Sequence, residues 1–321
     1  MTSPTVSICV PTYARAAPLD RAIECLCQLD PPDGGYEIIV VDDGSPSSEG
    51  IPALLEAWAA RSPVPLRYHS LPQNQGPGVA RNRAWRMSQG AWIAFTDDDC
   101  RPDRGWLRAL LDTAGADDAD VVQGRTLPDP NRAHLLAEPF ARSMRVEDYN
   151  GYFQTCNILY RRALLKALGG FDEDFRLIAD DTDLGWRAEE AGATVVFASD
   201  ALVHHDVVVG SWVKDLRSRK RWADVVRMVA KHPGARRLAW KPYIYRRSHV
   251  PALVLLAALC LTVPRQSRRA GTIAVAAALA FDLRSARRPR DALVILQTRV
   301  SDAYEIGLLL RESVKHRTLL L

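Results

Sequence analysis

The sequence predicts an α/β protein: a mostly parallel sheet with helices on both faces over residues 1–210, followed by a basic, helical, membrane-associated tail over 211–321. Three observations point there. Runs of consecutive apolar residues, the mark of strands buried on both faces, alternate with segments whose apolar residues recur at helical spacing. Two acidic clusters, Asp42-Asp43 and Asp97-Asp98-Asp99, each follow directly on such a run. The charge is uneven, with 19 Lys+Arg against 31 Asp+Glu up to residue 210 and 23 against 7 from there on, so that −12 is followed by +16.

The elements follow in order. Val6–Val10 is a strand that runs into Pro11-Thr12-Tyr13, and Leu19–Gln28 is a helix with Leu19, Ile23 and Leu26 on one face. Tyr36–Val41 is a second strand, ending in Asp42-Asp43-Gly44-Ser45. A helix at Ile51–Ala60, a strand at Leu66–His69, a helix at Gly78–Ser88 and a strand at Ala91–Thr96 lead to the three aspartates. Ligands of such sheets gather at the carboxyl ends of the strands, so both acidic clusters should share one edge. The first strand has no glycine loop after it, which excludes a dinucleotide fold of the G-x-G-x-x-G kind. Past Val121-Val122-Gln123-Gly124, the prolines 128, 130 and 139 mark a long loop or lid over about residues 127–150. Order returns at Cys156–Tyr160 and in a helix at Arg161–Leu168, which Gly169-Gly170 ends. Asp180-Asp181-Thr182-Asp183 then opens a helix, where acids also suit the cap and the helix dipole. The strand-like Ala201-Leu202-Val203 precedes His204-His205.

Three adjacent carboxylates at the end of a buried strand repel one another and are costly to desolvate, so a positive partner is expected beside them. A divalent cation is the simplest one, and oxygen ligands favour Mg²⁺ or Mn²⁺, ions that hold phosphates. Taken in isolation such an acidic run reads as a solvated turn; the rest of the chain decides against that. The six cysteines (Cys9, Cys25, Cys27, Cys100, Cys156, Cys260) have no metal-ligand spacing and read as reduced, mostly buried thiols of a cytosolic protein. A strand beginning at Val6 leaves no room for a signal peptide, so the catalytic part is expected in the cytoplasm.

Five motifs in this order carry a resemblance: Val10-Pro11-Thr12-Tyr13, Val40-Val41-Asp42-Asp43-Gly44-Ser45, Ala80-Arg81-Asn82, Asp97-Asp98-Asp99, and Asp181-Thr182-Asp183-Leu184-Gly185-Trp186-Arg187. Over roughly residues 5–210 the chain resembles the family 2 glycosyltransferases, inverting enzymes with a GT-A fold. The resemblance implies that Pro11, Tyr13, Asp43, Arg81, Asp97 and Asp98 line the nucleotide-sugar site. Tyr13 and Asp43 would meet the base, Arg81 would lie near the nucleotide, Asp97 would approach ribose and metal, and Asp98 would be the structural middle position. Asp99 would ligate Mg²⁺ or Mn²⁺ with Asp97, and His205 rather than His204 would be a further ligand, since adjacent residues of a strand face opposite ways. Asp181 would be the general base. The family usually has Glu-Asp where this chain has Asp180-Asp181, which puts an acceptor contact by the first acid in doubt. Asp183 and Arg187, four apart on a helix, are expected to pair.

The implied reaction is a single displacement. One sugar passes from a nucleotide-diphosphate sugar, UDP-sugar favoured, to a hydroxyl of a lipid-linked or membrane-proximal glycan. In the tail, Val250–Val263 and Ala270–Phe281 are apolar runs of fourteen and twelve residues, both short of the ~20 a spanning helix needs. Arginines lie on every side, so no positive-inside bias appears. A hairpin at 250–281 lying in the cytoplasmic leaflet, with Trp240, Tyr243 and Tyr245 at the interface, is expected; a soluble hairpin packed on the catalytic domain is the alternative. Asp291–Leu310 reads as an amphipathic helix. Processive synthases of the family carry Gln-x-x-Arg-Trp, whereas Ser218 stands here before Arg221-Trp222, so transfer of one sugar is expected rather than polymer export. No nucleic-acid signature is present. A sugar nucleotidyltransferase and a non-catalytic sugar-nucleotide-binding protein are the other classes. The first lacks its glycine-rich phosphate loop, and intact Asp99 and Asp181 argue against the second.

Overall fold

The computed structural model describes residues 4–321. The chain divides into two compact units, one running to Ala137 and resuming at Ala141–Val208, the other made of Glu138–Phe140 and Val209–Leu321. In the first, β1 (Val6–Thr12), α1 (Ala16–Leu26), β2 (Tyr36–Asp42), α2 (Ile51–Arg61), β3 (Leu66–Ser70), α3 (Pro77–Met87) and β4 (Trp92–Phe95) alternate. There follow β5 (Cys100–Pro102), α4 (Trp106–Ala116), β6 (Val121–Pro128), β7 (Ile158–Arg161), α5 (Arg162–Leu168), α6 (Asp180–Glu190) and β8 (Val195–His205).

The eight strands form one sheet in the order β3-β2-β1-β4-β7-β6-β8-β5. β3, β2, β1 and β4 run parallel, as do β6 and β8. β7 is antiparallel to both β4 and β6, and β5 is antiparallel to β8. The sheet is therefore mixed, with β3, β2, β1, β4, β6 and β8 pointing one way and β7 and β5 the other. An apolar run such as Ile158-Leu159-Tyr160 looks the same in either direction. β7's direction is set by the irregular excursion of residues 129–157, which brings the chain back against β4. β1 and β2 are buried almost throughout, whereas β3, at the edge, buries only Leu66 and otherwise alternates half-buried with exposed residues. Ile8, Ile23, Ile38, Val40 and Leu55 anchor the core, and Trp106 of the unanticipated α4 extends it. β5 was likewise not legible as a strand, and β8 begins at Val195, six residues ahead of the expected Ala201.

In the second unit, α7 (Trp212–Ser218) and α8 (Ala223–Lys231) precede α9 (His249–Leu261), α10 (Arg268–Leu283) and the long α11 (Pro289–Lys315). α9 and α10 pack as a hairpin, and α11 lies against α9. α11 buries a charged cluster. Glu305 meets Arg219 at 2.6 Å, His249 at 3.3 Å and Arg246 at 3.4 Å, and Asp302 meets Arg299 at 2.9 Å and Arg219 at 3.2 Å. No described helix is long and apolar enough to cross a membrane. Trp240 and Tyr243 are exposed, but Tyr245 is buried, its N–H donating to the carbonyl of Leu321. Cys9, Cys100 and Cys156 are buried free thiols, Cys25 and Cys27 are half-buried, and Cys260 is exposed although it sits in an apolar run.

Candidate active site

Parallel pairing brings the carboxyl ends of β1, β2 and β4 side by side, with Thr12 opposite Asp42 and Cys9 opposite Phe95. Acids gather where β2 and β4 end, and Tyr13 follows β1. After β2, Asp42 Oδ1 accepts from the N–H and the hydroxyl of Ser45, and that hydroxyl accepts from Ala14 N–H at 2.8 Å. Gly44 lies at φ +70°, and a Cβ there would sit 2.3 Å from the backbone of Gln73, so this turn closes only on glycine. Asp43 is buried, and its two oxygens accept from the N–H groups of Gln75 (2.8 Å) and Gly76 (2.9 Å). Burial raises its pKa and the two amides oppose that rise. It therefore fixes the loop leading into α3 whatever else it contacts. Tyr13 stands exposed at the end of β1, and Pro11 is half-buried within the strand.

The three aspartates after β4 meet two guanidinium groups. Asp98 is buried and accepts from Thr12 Oγ1 at 2.7 Å and from Arg15 Nη1 at 2.9 Å; Arg15 Nη2 reaches Asp99 Oδ2 at 2.7 Å. Burial pushes the Asp98 carboxyl up to about 7, with Arg15 opposing and Asp99 adding to the rise. Arg15's own pKa is raised, because Asp98 and Asp99 outweigh the effect of its partial burial. Arg81, on α3, lies between Asp97 Oδ1 at 3.0 Å and Asp180 Oδ2 at 2.8 Å. Its neighbour Asn82 is structural: Oδ1 accepts from Trp85 Nε1 and Phe171 N–H, and Nδ2 donates to Phe171 O and Glu173. Arg15 escaped the sequence reading. The signal was the requirement for positive charge at Asp97–Asp99, which the chain itself supplies in part.

Asp99 also faces His205, and the reason is β5. Cys100 pairs with His205 across the antiparallel β5–β8 ladder, and the Asp206 N–H donates to the Asp99 carbonyl at 2.9 Å. His205 Nε2 lies 3.6 Å from Asp99 Oδ1, while His204, on the opposite face, lies 3.3 Å from Asp103. The Nδ1 of His205 is 2.9 Å from the carbonyl oxygen of Asp206 and so must carry the proton. In the neutral ring, that tautomer turns the Nε2 lone pair towards a carboxylate oxygen, an arrangement that suits a cation between them. Asp99, Cys100 and His205 present ligand atoms within 4.8 Å of one another. Burial raises the Cys100 thiol's pKa well above its ordinary value, with Cys156 and the aspartates adding to the rise, so it remains a neutral, soft donor. Asp97 is not in that group.

α6 opens with Ala179 in the left-handed region, at φ +69°. Asp181, partly exposed, accepts from the Thr182 N–H at 2.7 Å. Desolvation pushes its carboxyl up to about 7, Asp180 adds to the rise and Arg81 opposes it. The following motif is packing. Arg187 meets Asp183 at 2.8 Å and donates to the carbonyls of Leu168 and Gly170, and Trp186 Nε1 donates to Gly151 O. Arg81, Asp97, Asp180 and Asp181 line a single cavity of about 140 Å³.

A sheet of this order, with carboxylates gathered at the carboxyl ends of its strands, has the GT-A architecture of nucleotide-sugar glycosyltransferases. The chain belongs to glycosyl transferase family 2, whose model matches residues 7–169; a second model, glycosyl transferase family group 2, matches residues 92–281. It is a glycosyltransferase. It is 30% identical to the succinoglycan biosynthesis protein ExoM of Rhizobium meliloti over 308 residues, 90% of this chain and 88% of ExoM. It is 27% identical to glycosyltransferase AglE of Haloferax volcanii, across 64% of this chain and 67% of AglE. It is 30% identical to the pre-mycofactocin glycosyltransferase of Mycobacterium tuberculosis, but spans only 42% of that protein's length. In fold it is similar to the mannosyltransferase PcManGT from Pyrobaculum calidifontis in complex with GDP-Man and Mn²⁺, with a TM-score of 0.61 at 21% identity over 97% of this chain and 88% of that one. S. aureus TarS 1–349 in complex with UDP-GlcNAc follows, with a TM-score of 0.54 at 18% identity over 98% and 92%.

Proposed function

We propose that the protein transfers one sugar, with inversion, from a nucleotide-diphosphate sugar to a hydroxyl of a lipid-linked or membrane-proximal glycan, with Asp181 as general base. The observation that carries this is the shared cavity, in which Asp181 faces Asp97 and Arg81. A carboxyl raised to about 7 is a stronger base than an ordinary aspartate and is still about half ionised at neutral pH. It takes the proton of the acceptor oxygen as that oxygen attacks the anomeric carbon, and the bond from that carbon to the diphosphate breaks on the opposite side. Arg81 keeps Asp97 and Asp180 in place, and its charge keeps Asp181 from rising further. Arg15, 37% exposed, is a cation of the chain itself at the aspartate cluster, where the departing diphosphate's charge would be met. Asp99 and His205 would hold Mg²⁺ or Mn²⁺, which when bound supplies further positive charge against the diphosphate, while Asp97 stays paired with Arg81.

A uridine donor is favoured, with Tyr13 and Asp43 at its base; TarS was solved with UDP-GlcNAc and PcManGT with GDP-Man. Asp181→Asn keeps the shape but removes the basicity. Donor affinity by titration calorimetry should survive while transfer falls ~10²–10⁴-fold. Transfer within a few-fold of wild type would assign the base elsewhere. The released product separates the classes: a nucleoside diphosphate is expected, and pyrophosphate would make the protein a nucleotidyltransferase instead.

A further inference from the structure

The α9–α10 hairpin presents an apolar surface that its own unit leaves uncovered. α9 carries no charge between Val250 and Leu261, a pattern that belongs in a core or in lipid, yet only His249, Ala252 and Ala258 are buried. On α10 only Gly271 is buried. A Cβ on Gly271 would lie 2.6 Å from the backbone of Leu261, so the two helices already touch at their closest and the hairpin cannot fold further onto itself. Leu256, Leu259, Leu261, Val263, Ile273 and Phe281 are all exposed.

The charge around that surface is predominantly positive. Among the described residues, Arg265, Arg268 and Arg269 at the turn, and Arg284, Arg287 and Arg288 beyond α10, make no ion pair. The acids of the unit are used elsewhere: Asp282 holds Arg299, Asp302 and Glu305 hold Arg219, and the carboxylate of Asp291 accepts from the backbone N–H groups of residues 287 and 288. With helices ~20 Å and ~24 Å long, the two basic clusters lie at opposite ends of the apolar surface. A hairpin lying flat puts both clusters at headgroup level, whereas one standing upright would sink a cluster into hydrocarbon.

We infer that this hairpin docks in the plane of an anionic lipid surface, with its leucines among the acyl chains and its arginines on the headgroup phosphates. A polyanion without hydrocarbon would satisfy the arginines and leave the leucines wet. A second copy would cover the leucines while setting one strongly basic tail against another.

Vesicle co-sedimentation of the full chain tests this without any turnover, so its failure is distinct from failure of the proposed chemistry. Binding to phosphatidylcholine vesicles containing phosphatidylglycerol, and much weaker binding to phosphatidylcholine alone, is expected. Added salt should weaken it without abolishing it. Arg265→Gln, Arg268→Gln and Arg269→Gln together should weaken it on the order of a hundredfold, each arginine contributing about fivefold (~1 kcal/mol). Leu256→Asp with Leu259→Asp should remove the salt-resistant part. Since these leucine changes could disturb folding, the exposed arginine variant provides the independent reading. No affinity for anionic vesicles at low salt, or binding unchanged in the arginine variant, would overturn the inference. So would concentration-dependent dimerisation, by light scattering, that the leucine changes abolish.

Discussion

At the scale of single residues, the acidic edge exists because two arginines hold it together. Asp98 and Asp180 are buried, and without a cation each would carry an uncompensated desolvation cost. Arg81→Met should therefore destabilise the protein by ~3–5 kcal/mol in chemical denaturation, because it strands Asp180. Arg15 is more exposed, so its loss should cost less stability and show itself in ligand affinity. Arg15→Ala frees Asp99 of a competing cation. Mn²⁺ binding without nucleotide should tighten ~10-fold by calorimetry, while nucleoside diphosphate binding weakens. Unchanged Mn²⁺ affinity would mean that Arg15 does not compete for Asp99. Asp181 predicts two pH effects. If Asp181 is the base as proposed, transfer, measured as kcat/KM, should fall tenfold per unit as pH drops below about 7, where its carboxyl becomes protonated. The sign for stability is opposite. The folded carboxyl is raised above its ordinary 3.8, so between about 4 and about 7 the folded state binds more protons than the unfolded one, and stability falls as pH rises. Asp181→Asn should melt higher than wild type above that window and lose the advantage below it.

At the scale of elements, α6 carries Asp181, the proposed base, and is held by contacts that admit little change. A Cβ on Gly185 would fall 1.9 Å from the ring of Phe153, a residue itself in the left-handed region at φ +53°. Gly185→Ala must push that ring away. Overpacking of this kind costs ~1–3 kcal/mol, and displacement of α6 should lower transfer more than donor affinity, which a kcat against KM comparison reads. In the tail, α11 depends on Glu305, fully buried among Arg219, Arg246 and His249. Burial works to raise its pKa, but the close approach of His249 and the two arginines brings it below the ordinary 4.5. The stability it contributes is thus present above about pH 4.5 and lost as pH falls through the lower folded value.

At the scale of the whole molecule, two compact units with separate cores need not melt together. Glu305→Gln should lower one calorimetric transition while leaving donor binding intact, because Glu305 and its partners lie entirely in the second unit. A single transition shifting as one would show that the units unfold cooperatively.

Much of this protein was written locally. Consecutive apolar runs place β1, β2 and β4 because a strand covered on both faces is apolar over most of its length, and the acids that end β2 and β4 mark the carboxyl edge. The spacing of Asp183 and Arg187 is enough to pair them, since residues four apart share a helix face. What depends on long-range pairing was not legible. β5 is three residues long and is a strand only because β8 lies beside it; that pairing, not any spacing, sets His205 against Asp99. α4 stayed hidden behind no particular cap signal, and the direction of β7 is a property of the chain's return path. Arg15 sits 83 residues from Asp98, and Arg81 99 from Asp180. The need for positive charge could be deduced from the acids themselves, because electrostatic cost is local. Which groups meet that need depends on where distant segments are packed, and only the tertiary structure decided it.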